Sequence, residues 1–239
     1  MPSPAPSFTL SGWSAWNPAL TDAAAWLDWA ARDEALPQGD GAPALAAMPP
    51  LLRRRAHRLG RMALETLYGA APGDDCVVVH ASRHGEVERS LALLQSLAAD
   101  GSVSPQHFGM AVHNAIPGLF TIARQLPLPV SAVAAGRATI WAALVEALGQ
   151  LADGAPRVLL VMADEPVPPL FTPFTDEPEA PFAYTLALTP GDDWHLDWAA
   201  SDAGDCADNA APGVLRAVLT GRGYAWQSQG RRWRLEPGA

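Results

Sequence analysis

The sequence contains no lysine, and all 16 of its basic residues are arginines. A Schiff-base lysine, the lysine of a phosphate-binding P-loop and a lysine that carries biotin or lipoate are therefore excluded. Basic charge is scarce overall, because the 25 acidic side chains outnumber the arginines and the formal net charge is −9. Such a chain repels phosphate backbones and anionic lipids, so neither nucleic acid nor a membrane surface is expected as its main partner.

Cysteine is scarce as well, with only Cys76 and Cys206 in 239 residues. Two cysteines make neither a disulfide framework nor a cysteine zinc site, which favours a reducing, cytoplasmic location. The first 16 residues lack the basic and apolar segments of a secretion signal, and no stretch reaches the roughly 18 apolar residues of a membrane span. We therefore expect no membrane span.

The common catalytic motifs are also missing. There is no G-x-S-x-G turn, no G-x-G-x-x-G after a strand and no H-E-x-x-H. Four of the six histidines occur in two pairs, but no third ligand accompanies either pair, so no metal site is expected. These pairs are His80 with His84 and His107 with His113. Cys76 in an apolar run and Cys206 among acidic residues are poor candidates for a nucleophile.

Residues 1–50 are rich in Pro, Ala, Gly and Trp, and the segment 37–50 is broken by Pro and Gly. We predict an N-terminal arm over residues 1–50. Within it, Trp26 and Trp29 lie three residues apart, and Thr21 or Asp22 is a suitable N-cap. This spacing predicts a short helix that buries both rings against the domain or a partner.

Residues 51–163 alternate between helical and strand patterns. Apolar residues repeat at helical spacing at 51–68, 84–99, 115–125 and 138–151, and short apolar runs typical of strands buried on both faces lie at 76–80, 129–134 and 157–163. This order predicts an α/β fold with a mainly parallel sheet and helices on both faces. Later strands are expected at 183–188, 194–198 and 232–235, and a helix at 212–219.

Asp164 and Glu165 directly follow the predicted strand at 157–163. The carboxyl end of a sheet strand is where α/β proteins place ligands, although the prolines that follow equally indicate a rigid turn. The residues therefore leave open a free-standing hydrolase or thioesterase. In that enzyme a histidine, His80, His84 or His113, would act with Asp164 or Glu165 on a water molecule or on a nearby serine, Ser82 or Ser104. His113 with Asp164 is the pair we favour for this alternative.

A series of short motifs follows in a fixed order. They are Ser104-Pro105, His113-Asn114-Ala115 with Gly118, the strand at 129–134, the helix at 138–151 and the strand at 157–163. In this order, within residues 82–168, they resemble the N-terminal half of a β-ketoacyl synthase. Residues 49–65 (PPLLRRRAHRLGRMALE) are similar to the start of that domain in a short synthase-like family associated with aryl polyene and xanthomonadin-type pigments. The resemblance implies a truncated thiolase-like fold, with residues 51–239 as the synthase-like domain.

The sequence departs from the synthases at their nucleophile. Synthases carry a cysteine on a sharp turn before the buried helix, where the helix N-terminus lowers the thiol pKa. At that turn this sequence has Val133-Ala134-Ala135-Gly136-Arg137, without Cys, Ser or Thr. The catalytic histidine pair of the synthases belongs to a C-terminal half that 239 residues are too few to include. The resemblance therefore implies a non-catalytic, chain-length-factor-like subunit that pairs with an active ketosynthase and needs no cofactor.

The resemblance also implies roles for particular residues. In the family the strand before the turn pairs across the dimer axis, which places at the interface Pro129, Val130, Ser131, Ala132, Val133 and Ala134. Side chains near that axis close the partner's acyl tunnel, and the candidates here are Phe108, Met110 and Leu119. For each of these three, ordinary core packing is the alternative. A homodimeric acyl-binding module without a synthase partner is a further possibility.

An arginine cluster lies at residues 53–61 of this acidic chain. Arginine recognises phosphate and carboxylate groups well, so Arg54, Arg58 and Arg61 are candidates for docking an acyl carrier protein or its phosphopantetheine arm. The alternative is a solvated helix face whose charges pair with local acids. The residues alone leave both possibilities open.

Overall fold

The computed structural model describes residues 6–70 and 73–238. Within these residues seven strands form one sheet, in the order β3, β2, β4, β5, β7, β6, with β1 also pairing with β5. The strands are β1 (Ser7–Trp16), β2 (Val77–Ala81), β3 (Val130–Val133), β4 (Val158–Asp164), β5 (Phe182–Ala200), β6 (Tyr224–Ser228) and β7 (Arg231–Pro237). The helices are α1 (Ala23–Arg32), α2 (Pro50–Arg53), α3 (Arg58–Gly69), α4 (Val87–Asp100), α5 (Pro105–Gly109), α6 (Ala115–Arg124), α7 (Thr139–Ala152) and α8 (Ala210–Thr220).

The sheet is mixed, whereas the sequence predicted a mainly parallel one. β3, β2 and β4 are parallel, and the strand pairs formed by β5 and β7 are antiparallel. A parallel neighbour requires a crossover connection, usually a helix. Between β4 and β5 the chain has only a short 3-10 helix, Pro169–Phe174, so β5 returns antiparallel beside β4. The α/β class with helices on both faces is confirmed.

The two faces of the sheet carry separate apolar clusters. Side chains alternate along each strand, so that in β2 Val77 and Val79 face one cluster and Val78 faces the other. The first cluster lies under α1, α7 and α8, and the second under α3 and α6. Among the described helices, none is long and apolar enough to cross a membrane.

The N-terminal segment contributes both a strand and a helix. The predicted helix is confirmed as α1, with the Asp22 carboxylate accepting a hydrogen bond from the Ala25 amide at 2.9 Å. Trp26 and Trp29 are buried in an edge-to-face contact, 5.3 Å between ring centroids. Strand β1 was not predicted, because register shifts between Phe8 and Thr9 and between Leu10 and Gly12 interrupt its alternation. The boundary at residue 50 stays a prediction, and β1 and α1 share the sheet and core with later elements.

The continuous helix predicted for residues 51–68 is wrong. Two helices, α2 and α3, occupy this span, and the chain between them makes tight turns in which the amides of Arg55 and Ala56 bond carbonyl oxygens three residues earlier. Such bonds tighten and end a helix. Ala56 and Leu59 are nevertheless buried on the same side, which explains why the apolar spacing looked unbroken.

Candidate functional site

The outermost strand at one end of the sheet, β3, has a free backbone edge. Among the described residues it pairs only with β2, where the Val78 amide donates to the Pro129 carbonyl oxygen at 3.0 Å. Backbone groups of successive strand residues point to opposite sides, so Val130 and Ala132 direct their N–H and C=O groups away from β2. An unpaired edge of this kind is a template for another strand.

The side chains of this strand are only partly covered. Pro129, Ala132 and Ala134 are exposed, and the residues between them are half-buried. The prediction that this strand is buried on both faces is therefore wrong. Because β3 is the edge strand, only β2 flanks it within the described chain.

Apolar side chains are also exposed on two neighbouring helices, α4 and α5, and just after them. The apolar helix surface consists of Leu94, Leu97, Phe108 and Val112, whose exposed fractions are 59%, 48%, 63% and 44%. The apolar spacing predicted for residues 84–99 is present, but α4 packs mainly against α5 and buries little of it. Exposed apolar surface on a folded chain is typical of a contact with another protein.

The three predicted tunnel-end residues have different environments. Leu119 on α6 is buried in the cluster under α3 and α6, and Met110 is half-buried against the same cluster. Phe108 on α5 is exposed, so core packing does not account for it. The tunnel-end role of all three stays a prediction.

The turn after β3 is held by hydrogen bonds to Thr139. The Thr139 hydroxyl accepts a bond from the Ala135 amide at 3.0 Å and donates to the Gly136 carbonyl oxygen at 2.7 Å. Gly136 has a φ of 56°, the left-handed region that glycine adopts without strain. The Thr139 hydroxyl is thus committed to holding the shape of the turn.

Arg137 extends from this turn into an ion-pair network that is buried at Glu177 and exposed at Asp176. The network consists of Arg83, Arg137, Asp176 and Glu177, and Glu177 lies between the two arginines, 2.9 Å from Arg83 Nη1 and 3.1 Å from Arg137 Nε. Arg83 also pairs with Asp176 at 2.6 Å. The guanidinium of Arg137 lies over the Trp226 ring, 5.6 Å from its centroid. Burial raises the pKa of the Glu177 carboxyl, although both guanidinium groups favour its charged form.

Asp164 lies at the carboxyl end of β4, next to the chain that leaves β2. Its carboxylate accepts hydrogen bonds from the Ser82 hydroxyl at 2.8 Å and the Arg83 amide at 2.9 Å. Burial raises the pKa of Asp164 to about 7, even though both bonds favour the carboxylate. Burial likewise raises the pKa of Glu165 to about 7. The sequence correctly placed both acids at the end of a sheet strand.

These acids are poorly placed for hydrolysis. The cavity that Asp164 lines beside His84 holds about 10 Å³, room for roughly one water molecule. His113, the other half of the proposed pair, packs its ring over Gly85, and the Asp164 carboxylate is bonded by the Ser82 hydroxyl and by the backbone amides of Arg83 and His84. The arrangement gives the hydrolase hypothesis no substrate pocket at Asp164, and the described residues show no hydrogen bond between the His113 ring and this carboxylate.

The other titratable residues considered from the sequence are paired or buried within the fold. His84 Nε2 lies 3.4 Å from Glu179 Oε1, and Cys76 is buried, which raises its thiol pKa. His80 is fully buried in β2. In residues 6–70 and 73–238 no group of three or more His, Cys, Asp or Glu side chains is arranged to hold a metal ion.

The arginine cluster is exposed at Arg54 and half-buried at Arg58 and Arg61. Arg54 is exposed, whereas Arg58 donates to the carbonyl oxygens of Gly39 and Gly41 and lies 3.8 Å from Glu165. Arg61 donates to the Ala56 carbonyl oxygen at 3.4 Å. These internal bonds restrict Arg58 and Arg61, and their role in carrier-protein docking stays a prediction.

Glu177 is the residue of this region that the sequence analysis missed. It lies 40 residues from Arg137 in a proline-rich loop without regular secondary structure. A charged residue in such a segment usually remains in solvent, and only the tertiary fold brings it between two arginines. The sequence contains one clue to this ion pair, which is the arginine at position 137 on the turn. A buried arginine needs an acidic partner.

Comparisons with known proteins identify the family. Residues 26–234 match the family described as β-ketoacyl synthase, N-terminal domain, and the chain belongs to it. The chain is similar to a chain of the ketosynthase ApeO in complex with its chain length factor ApeC from Xenorhabdus doucetiae, with a TM-score of 0.86 and 28% identity over 96% of this chain and 99% of that one. The comparison with curated proteins gives no match.

Two further solved structures share the fold. The ishigamide ketosynthase/chain length factor matches with a TM-score of 0.65 and 17% identity, over 82% of this chain and 68% of that one. The AntDE:AntF complex, a type II polyketide acyl-carrier protein with its ketosynthase, matches with a TM-score of 0.71 and 12% identity, over 97% of this chain and 99% of that one. The thiolase-like fold is thereby confirmed.

Proposed function

We propose that this chain is a chain-length-factor-like partner of a ketosynthase that elongates a polyene or fatty acyl chain, of the aryl polyene type, on an acyl carrier protein. The observation that carries the proposal is the free edge of β3, which offers its outward N–H and C=O groups to a partner strand. The likeness to a chain of the ApeO and ApeC complex along nearly its whole length supports the same assignment.

The turn after β3 supports a non-catalytic role. Condensation by a synthase needs a thiol at this turn, and residues 133–137 have none. Arg137 instead ties the turn to Glu177, and the Thr139 hydroxyl is used to hold the backbone. The turn therefore has a structural role in connecting β3 to α7. In the proposed complex the reacting thiol belongs to the ketosynthase.

Phe108 is the strongest candidate for setting product length. It is a large exposed ring, and the resemblance implies that it lies near the dimer axis. In the proposed complex Phe108, with Met110 and Leu119 behind it, closes the far end of the ketosynthase acyl tunnel. Arg54, together with the partly restricted Arg58 and Arg61, contributes positive charge for the acidic carrier protein.

Reconstitution tests this function. The ketosynthase encoded nearest to this chain, an acyl carrier protein and malonyl substrate are combined with and without the chain, and products are measured by mass spectrometry. We expect elongation only when both subunits are present and longer products with Phe108→Ala, because truncation deepens the tunnel. Phe174→Ala, which removes another exposed ring, is the matched control and leaves product length unchanged.

Two results would contradict the proposal. One is condensation or thioester hydrolysis by the chain alone. The other is a ketosynthase that yields the same products at the same rate whether or not the chain is present.

A further inference from the structure

A second uncovered surface lies beside the turn that follows β3. Helix α7 and the 3-10 turn before it present Ala138, Ala142 and Val145, spaced four and three residues apart, along one wall of a groove. Trp198 and Trp233 also line the groove, together with residues 228–230 at the β6–β7 turn. We name it the tryptophan groove. Its volume is about 670 Å³, enough for several side chains of another protein.

The walls of the tryptophan groove are rigid but not covered. Trp198 is 39% exposed and Val145 is 38% exposed. The Trp198 ring packs against Trp233 at 5.7 Å, and Trp233 stacks on the buried Trp141 at 5.8 Å. A row of three packed rings holds Trp198 in place, so binding would cost little side-chain entropy. Tryptophans held in this way are typical anchors of protein interfaces.

Arg231 gives the rim of the groove a positive charge. Its guanidinium lies 5.5 Å from the centroid of the Trp233 ring. In residues 6–70 and 73–238 no carboxylate lies within ion-pair distance of it, unlike the arginines of the ion-pair network. The rim therefore favours an occupant with an acidic residue next to an apolar one.

The position of the groove connects it to the β3 edge. Ala135, which lines the groove, is two residues beyond the end of β3. Four residues of strand pairing bury only a small area, whereas a stable complex buries about 1,200–2,000 Å² in total. A partner on the β3 edge must therefore extend over neighbouring surfaces, and the groove opens where the strand ends.

We propose that the tryptophan groove binds an apolar segment of the ketosynthase, with an acidic residue of that segment against Arg231. This inference rests on the proposed function. The edge of β3 fixes the pairing of the two subunits, and the groove supplies the buried apolar contact that the strand alone lacks. Val145 and Trp198 are then central residues of the interface.

Affinity measurements on the purified ketosynthase test this proposal. We expect Val145→Asp to raise the Kd by about tenfold or more, because it places a charge in an apolar contact. Ala142→Phe, which fills the groove from within, has the same effect without adding charge. Arg231→Glu weakens binding more strongly at low salt than at high salt. Leu27→Asp on α1, at a residue with 47% exposure, is the control and leaves the Kd unchanged.

The outcomes separate this inference from the proposed function. If the unmodified chain binds but all groove variants bind equally tightly, the groove assignment is wrong and the function stands. If the unmodified chain does not bind the ketosynthase, both fail. Loss of cis-parinaric acid binding in the groove variants, with unchanged ketosynthase affinity, assigns the groove to an acyl chain instead. Concentration-dependent self-association that Val145→Asp removes assigns it to a second copy.

Discussion

His80 is a fully buried histidine in the middle of the sheet. Neither ring nitrogen makes a hydrogen bond of good geometry among the described residues, although the His113 backbone lies close enough to favour the charged ring. Burial and the neighbouring His113 lower its pKa to about 3, so the ring is neutral in the folded chain. In the unfolded chain its pKa is near 6.5. Between pH 6.5 and pH 3 the unfolded chain therefore binds the extra proton, and stability falls as the pH is lowered.

Removing this histidine should remove that part of the pH dependence. We expect His80→Leu to unfold at pH 7.5 with a free energy within about 1 kcal/mol of the unmodified chain, because a buried polar ring without a hydrogen bond of good geometry is replaced by an apolar side chain. At pH 4.5 the variant should be the more stable of the two. Urea denaturation at both pH values measures the difference. His107→Leu at an exposed site is the control, and an equal loss of stability in both chains would refute the assignment.

Asp164 and Glu165 make the stability of the fold depend on pH in the opposite direction. Their pKa values of about 7 lie above those of the unfolded chain, so the folded chain binds protons more tightly between about pH 4 and pH 7. Their contribution to stability therefore falls as the pH rises through that range. For this reason the His80 experiment compares the variant with the unmodified chain at each pH.

Predictions from the sequence were most accurate for residues whose position depends only on the helix or strand to which they belong. The positions of Asp164 and Glu165 at a strand end followed from the apolar run before them. The bridge of Glu177 between Arg83 and Arg137 did not, because it joins three loops that only the complete fold brings together. The solvent exposure of Phe108 was also missed, since an apolar residue in a helical turn is usually buried.

At the level of elements, the edge of β3 is the feature with the clearest functional consequence. Its outward backbone groups belong to Val130 and Ala132, and its inward groups pair with β2. Proline at an outward position removes one donor from the free edge and no hydrogen bond from the sheet. This geometry allows strand pairing with a partner to be tested separately from folding.

We expect Ala132→Pro to raise the Kd for the ketosynthase by about tenfold or more, with a melting temperature close to that of the unmodified chain. Ala132→Thr, which keeps the amide and suits a strand, is the matched control and binds normally. Surface plasmon resonance gives the affinity, and differential scanning calorimetry gives the stability. Normal binding by Ala132→Pro would show that the partner does not pair with this edge.

Helices and strands could be predicted from the sequence where the spacing of their own apolar residues determines them. β2, β4 and α7 have apolar spacing that matches what they bury, and all three were predicted. The antiparallel return of β5 was not, because strand direction depends on the connection from β4. β1 was missed because its partner lies some 175 residues later in the sequence and a bulge shifts its register.

At the scale of the whole molecule, the uncovered surfaces point to a subunit of a larger assembly. The free β3 edge and the apolar helix surface are exposed, and the tryptophan groove exposes Trp198 and Val145 beside Trp233, which belongs to the first core cluster. A monomer that exposes a strand edge and apolar side chains is prone to aggregate, whereas a partner that covers them stabilises the fold by mass action. We therefore expect the chain to be less soluble when expressed alone than with its partner.

Co-expression with the ketosynthase encoded nearest to this chain, with a tag on one subunit, tests the central claim most directly. The purified material is analysed by size-exclusion chromatography with light scattering. We predict a stable complex with the mass of one copy of each subunit, and a lower yield of soluble chain when it is expressed alone. A soluble monomer or homodimer that elutes separately from the ketosynthase would contradict the account.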